Sequence, residues 1–395
     1  MASLDHLPPV APDPIRSVAE RADHARRAKR SVIDGTVGMI VDEATGEAYK
    51  LPTVQRAMEE IGENLSEVSC AYQNSLGVPA FRESVMKLLS NGREIPFVTA
   101  ATAGGSGALV LQRHLLKRLH PKTEVIIPIP GWAGYAAIFR QAGITVRETE
   151  YLERDKPDIG AVAKALTESK AMLKAVLLQA GCHNPTGKDF GFSEWQALGD
   201  ICNEHRAIAL VDMAYQGLGG EPEEDDTPIR QFYNRGVPVL GAWSAEKNHT
   251  LYSERTGLAF AAFPGASAGE QQTLEEHYAD ILRGSSLLPA SIGQFIVARV
   301  QQEEQQAWRS DLRRIRSLLV EKRDQLKALL PSMVPSLTGK GMFASLPLNE
   351  EHLQRLEREH DVYLVPGGRL NIGGIRSQDI ERLAKAITDV TQSSS

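Results

Sequence analysis

Lys247 lies in Ser244-Ala-Glu-Lys247-Asn-His-Thr-Leu-Tyr252-Ser-Glu-Arg255-Thr-Gly257, a polar stretch between two apolar runs. A lysine in such a loop is ordinarily a solvated charge. Here Ser244 and Arg255 flank it, and together they suit a dianionic phosphate through charge-assisted hydrogen bonds. An amine held near cationic groups and partly desolvated has a lowered pKa. It can attack an aldehyde and later act as a base.

Other stretches carry groups that could serve the same site. Asp212 and Tyr215 stand in Val211-Asp212-Met-Ala-Tyr215-Gln-Gly217, just after an apolar run. A carboxylate there is often only a helix N-cap. Asn184 stands in Gly181-Cys-His-Asn184-Pro-Thr-Gly187, which also reads as a plain turn. It is not a nucleotide P-loop, because no Ser or Thr follows Lys188 and the glycine spacing is wrong. Gly104-Gly105-Ser106-Gly107 opens a helix, where free N–H groups and the helix dipole favour an anion. Trp132 follows Glu124-Val-Ile-Ile-Pro-Ile129, a place where an aromatic is more often core. Arg369, in Gly368-Arg369-Leu-Asn371-Ile-Gly373, has a fork that matches a carboxylate, and a surface ion pair would use it equally well.

The Ser244, Lys247 and Arg255 spacing, with Asn248 after the lysine and Leu251-Tyr252 before Glu254-Arg255, resembles the lysine signature of the class I aminotransferases. These form the aspartate and aromatic aminotransferase family of pyridoxal 5′-phosphate (PLP) fold type I. The resemblance runs from Asp13-Pro14-Ile15 to Gly373 and takes in Gly38 and Leu51-Pro52. It implies a Schiff base between PLP and Lys247. Asp212 would pair with the pyridine nitrogen, so that the ring accepts electrons. Tyr215 and Asn184 would face the phenolic oxygen, and Trp132 would stack on the ring. Gly105, Ser106, Ser244 and Arg255 would hold the phosphate. The resemblance makes the protein a homodimer with shared active sites, Tyr72 reaching the neighbouring subunit's phosphate. Arg369 would clamp the substrate α-carboxylate, with Gly38, Asn184 and Trp132 beside the substrate. Arg283 would reach across the dimer to a distal carboxylate.

Three departures stand out. The family more often has Ser at Gly104. Tyr135 stands where a His usually supports the ring-binding aspartate. Leu287-Leu288-Pro289-Ala290 follows Arg283 where Ser-Asn-Pro-Pro is common. The implied activity is transfer of an amino group between a dicarboxylic or aromatic L-amino acid and a 2-oxo acid such as 2-oxoglutarate. Elimination, replacement or other carbanion chemistry on the same cofactor is the alternative. A DNA-binding regulator built on this body would need more than the roughly 35 residues that precede it.

These groups need a scaffold that gathers strand ends. Apolar runs at Glu124–Ile129, Ile144–Thr149, Lys174–Leu178, Ala207–Val211, Val237–Trp243 and Leu258–Phe263 alternate with helical patterns such as Phe192–His205. That alternation predicts an α/β fold with a mostly parallel, mixed sheet in a large domain, its ligands at the C-terminal strand ends. After residue 286 long helices from Ser291 to Leu330 and short strands at Met342–Ser345, Val362–Val365 and Arg369–Ile372 predict a smaller α+β domain. The expected division is an arm and small-domain segment over 1–35, a large PLP-binding domain over 36–285 and a small domain over 286–395. The arm reads as Pro-rich followed by a basic helix over Ile15–Arg30, with apolar residues that must dock on the body or on a second subunit. The tail Thr391-Gln-Ser-Ser-Ser395 is expected to fray.

The 395 residues are too many for one ordinary core. A net charge of −6 argues against nucleic-acid binding. No stretch is apolar for the roughly 20 residues a membrane span needs, and the first 20 residues show no signal-peptide core. Cys70, Cys182 and Cys202 match neither a disulfide framework nor a metal site, so a reducing, cytoplasmic setting without a metal is expected.

Overall fold

The computed structural model describes residues 13–64 and 71–392. The Pro-rich residues 1–12, Cys70 and the final Ser393–Ser395 lie outside the described residues.

Seven strands form the central sheet in the order Val98–Ala103, Thr256–Ala262, Val239–Ser244, Ile208–Met213, Leu173–Gln179, Thr123–Ile129, Thr145–Glu150. Thr256–Ala262 runs antiparallel to both its neighbours, and the other pairings are parallel. The strands Ile208–Met213, Val239–Ser244 and Thr256–Ala262 are buried along their whole length. Helices therefore cover both faces, and the runs are continuous rather than alternating. The strand Val98–Ala103 was not anticipated. Its sequence, VTAATA, is built of small residues and lacks the large apolar run that marked the others.

Register decides which loops meet. Thr102, Gly257 and Ser244 lie in one row across three strands. The row brings the turn at Gly104, Arg255 and the Lys247 loop to one end of the sheet. Gly257 has no room for a side chain, since a Cβ would stand 2.4 Å from the backbone carbon of Gly104. Gly104 itself has φ +69°, a backbone conformation that favours glycine. Gln179 and Asp212 are likewise paired, at the ends of adjacent parallel strands.

Helix Pro14–Arg27 is capped by Asp13, whose side chain accepts from the N–H of Ile15 and Arg16. It buries Val18, Ala22 and Ala25 against Tyr363, so the apolar face of this helix docks on the body of the same chain. A separate core gathers Ile33, Leu326, Leu356, Leu370, Leu383 and Ile387. Two small ladders serve it: Ile33–Asp34 beside Val362–Tyr363, and Phe343–Ser345 beside Arg369–Asn371. Helix Gln305–Leu329 belongs to both cores. Trp308, Leu312, Ile315 and Leu319 pack on the core of the large sheet, and Leu326 on the smaller core. Near its end, buried Arg323 donates to the carbonyls of Leu337, Gly341 and Phe343, which orients the strand facing Arg369. The last helix begins with a 3-10 turn at Ser377–Asp379 and continues as Ile380–Gln392.

Candidate active site

Every cofactor residue expected from the sequence, Tyr72 excepted, lines one cleft at the C-terminal ends of the parallel strands. Lys247 enters it from the loop after Val239–Ser244. Its amine stands 5.8 Å from the centre of the Tyr215 ring and donates to Glu246 Oε2 at 2.6 Å. Asn184 Nδ2 donates to the Tyr215 hydroxyl at 3.3 Å. Burial pushes the Tyr215 hydroxyl above the usual phenol range, an effect the neighbouring Asp212 charge reinforces.

Asp212 is buried at its strand end, and burial raises its carboxyl to about 6. The Tyr135 hydrogen bond and the Lys247 charge oppose that rise. Tyr135 donates its hydroxyl to Asp212 Oδ2 at 2.5 Å. The departure from histidine at this position therefore leaves Asp212 with a donor. Tyr135 also meets Trp132 edge-on, ring centres 5.2 Å apart, which fixes the Trp132 plane over the cleft. Gln179, which sequence reasoning missed, accepts the Asn184 N–H at 3.2 Å and so anchors that turn. Its signal was available: it is the polar residue closing the run Leu173–Gln179, beside Asp212 in register.

At the other end of the cleft Arg255 Nη2 donates to Ser106 Oγ at 3.1 Å, and Ser244 Oγ accepts the Glu246 N–H at 3.2 Å. Gly105 packs against Ser244, where a Cβ would sit 3.3 Å from the serine Cβ. Glu246, unremarked in the sequence beside its lysine, ion-pairs with both Lys247 and Arg255.

Arg369 is buried but does not line the cleft. Its guanidinium lies over the Phe343 ring at 5.1 Å, and Phe343 meets Tyr215 edge-on at 5.9 Å. Burial lowers the Arg369 pKa. One nitrogen donates to the Thr36 carbonyl, while Nε is buried without a partner, so the fork is not saturated. Gly38 faces the same ring, its missing Cβ 3.4 Å from Phe343 Cζ. Asn371 Nδ2 donates to the Met39 carbonyl at 2.6 Å, and the Ile40 N–H donates to Tyr252 Oη at 3.0 Å. Segment 36–40 is thereby tied both to Arg369's strand and to the lysine loop.

Tyr72 and Arg283 are not brought to this cleft. Tyr72 is 90% exposed, and Arg283 is exposed at the C-terminal end of helix Ala268–Arg283. Leu287 is exposed as well, with φ +60°.

These groups fit PLP. A buried carboxylate could face the ring nitrogen, a phenol and amide pair the phenolic oxygen, an indole the ring, and an amine the aldehyde. Arg255, Ser244 and a glycine-rich helix start could hold the phosphate.

The sequence model for aminotransferase class I and II matches residues 40–387. The chain belongs to that family. It is 30% identical over 400 residues to the aromatic-amino-acid aminotransferase of Paracoccus denitrificans, covering 98% of this chain and 99% of the relative. The aspartate aminotransferase of Saccharomyces cerevisiae cytoplasm superposes with a TM-score of 0.92 at 25% identity, over 99% of both chains. An aromatic-amino-acid aminotransferase from Burkholderia pseudomallei, solved covalently bound to pyridoxal phosphate, superposes with a TM-score of 0.90 at 28% identity, over 98% of this chain and 100% of the other. This aminotransferase depends on PLP and transfers amino groups between amino and 2-oxo acids. Its fold is that of the aspartate aminotransferases. Among the described residues no helix is long and apolar enough to cross a membrane.

Proposed function

We propose that the aminotransferase exchanges an amino group between a dicarboxylic or aromatic L-amino acid and 2-oxoglutarate, with Lys247 as the residue that holds PLP and moves the proton. The observation that carries this reading is the convergence of the Lys247 amine, the Asp212 carboxylate and the Asn184–Tyr215 pair in one cleft that ends at Arg255 and Ser106.

PLP supplies an electron-accepting ring to the substrate Cα. The chain's residues do the rest. Asp212, its carboxyl held down against burial by the Tyr135 hydrogen bond and the Lys247 charge, would stabilise positive charge at the ring nitrogen. Asn184 and Tyr215 would hold the phenolic oxygen, and Trp132 would cover one face. Arg369 turns its fork from the Thr36 carbonyl to the substrate α-carboxylate, with Gly38 leaving room beside it. That orients the Cα–H bond toward Lys247. The Lys247 amine would take the Cα proton and release it on the product side. Tyr72 and Arg283, both exposed, act in the neighbouring subunit of a homodimer, Tyr72 on the phosphate and Arg283 on a distal carboxylate. Apolar Leu287 and Leu288 beside Arg283 suit aromatic side chains as well. A cytoplasmic setting accords with the buried thiols of Cys182 and Cys202.

The test is a scan of amino acids by single half-reaction spectroscopy, followed by regeneration with 2-oxoglutarate. Dicarboxylic and aromatic amino acids should bleach the cofactor's absorbance, and 2-oxoglutarate should restore it. Borohydride should fix the cofactor on the peptide containing Lys247. Label on another lysine would overturn the assignment.

A further inference from the structure

Arg255, assigned to the phosphate, already pairs with an anion that belongs to the chain. Glu246 is 8% exposed. One carboxylate oxygen accepts from Lys247 Nζ at 2.6 Å, and the other pairs with Arg255. That second oxygen is buried and has no well-aligned hydrogen-bond donor. Gly104 makes the arrangement possible. A Cβ there would stand 2.5 Å from Glu246 Oε1 and 2.9 Å from Arg255 Nη2. The residue is glycine where the resemblance leads one to expect serine, and the space so opened is filled by the carboxylate and the guanidinium.

Arg255 has one further tie in the cleft, to Ser106 Oγ. A phosphate dianion bound by Arg255, Ser106 and Ser244 would lie against the Glu246 carboxylate. Like charges at such a distance in a partly desolvated site repel strongly. Arg255 cannot give its full fork to both anions.

We infer that Glu246 competes with the cofactor's phosphate for Arg255, so that the chain holds PLP less tightly than the same cleft would without this carboxylate. The inference rests on the reading of this cleft as the phosphate site. Loading requires Glu246 to give up Arg255. Glu246 is therefore a residue that sets cofactor affinity, not a catalytic residue.

The test compares the full-length chain, freed of cofactor, with E246Q and E246S. Each is titrated with PLP, with pyridoxal (which lacks the phosphate) and with inorganic phosphate. PLP should bind both variants on the order of tenfold tighter. Pyridoxal should bind all three proteins alike. Inorganic phosphate should raise the melting temperature of the variants more than that of the unaltered chain. The phosphate measurement needs no bond to Lys247. Failure of borohydride labelling at Lys247 would therefore sink the assignment of the lysine and leave the test of Glu246 standing. PLP affinity unchanged or weaker in both variants overturns the inference, and so does an equal gain for pyridoxal.

Discussion

The Tyr135 hydroxyl donates to Asp212 Oδ2 at 2.5 Å, across 77 residues of sequence. Both groups are buried. The bond supplies the donor that the resemblance would assign to an imidazole, and with the Lys247 charge and the Ala214 N–H it holds the Asp212 carboxyl down against burial. Tyr135→Phe should raise the Asp212 pKa above about 6. The carboxylate must be ionised to face a protonated ring nitrogen. The acid limb of the pH–rate profile should therefore move to higher pH, with activity at neutral pH down about 10- to 100-fold. Tyr135→His should recover most of the loss. An unshifted acid limb in the phenylalanine variant would remove this role from Tyr135.

Asp212 also links stability to pH. Burial raises its pKa from 3.8 to about 6, so the folded chain favours the neutral acid. The stability it contributes is complete below pH 3.8 and is lost as pH rises through about 6. Asp212→Asn should abolish amino transfer and yet stabilise the cofactor-free chain near pH 7, by on the order of 3 kcal/mol. Urea unfolding between pH 4 and 7.5 measures this. The same pH slope in both proteins would contradict it.

Arg369→Lys keeps the charge and loses the planar fork that a carboxylate needs. kcat/KM should fall on the order of 100-fold for dicarboxylic and aromatic substrates alike, because both present the same α-carboxylate. Arg283→Ala should weaken dicarboxylic substrates far more than aromatic ones. Steady-state kinetics on one substrate of each kind separates the two arginines, and an equal loss for Arg283→Ala would withdraw its assignment.

Gly257→Ala tests the register that builds the phosphate end. The added methyl would press on the backbone of Gly104 at 2.4 Å, where no flexible side chain can yield. The strands must part there, moving Gly105 and Ser106 from Arg255. PLP affinity should fall at least about tenfold, since overpacking shifts backbone. Retained affinity, measured by fluorescence titration, would show that the row Thr102, Gly257, Ser244 does not position the site.

Much of this site was legible because its chemistry follows apolar runs. Asp212 stands at the end of one continuous buried strand and Lys247 in the loop after another, and parallel sheets gather such ends. The strand Val98–Ala103 escaped notice because small residues carry little periodic signal. Tyr135 and Glu246 are visible as residues, but which charge each would meet depends on register and on side-chain direction. The resemblance makes Arg369 a substrate clamp, and its sequence gives no sign that the guanidinium is turned onto the Thr36 carbonyl, a contact across 333 residues. The helix Gln305–Leu329 has an uninterrupted helical pattern, and nothing in that pattern marks where it leaves one core for the other.

That helix has a mechanical consequence. Lys247 and Asp212 ride on the large sheet, whereas Ile33 and Leu370, the neighbour of Arg369, pack in the smaller core, and Phe343 packs in the larger one. A tilt of that helix would move the carboxylate fork and, through Asn371, pull on the Thr36–Met39 strip against its tie from Ile40 to Tyr252. The gap between fork and amine, and with it the length of substrate gripped, would then follow the tilt of a single rod.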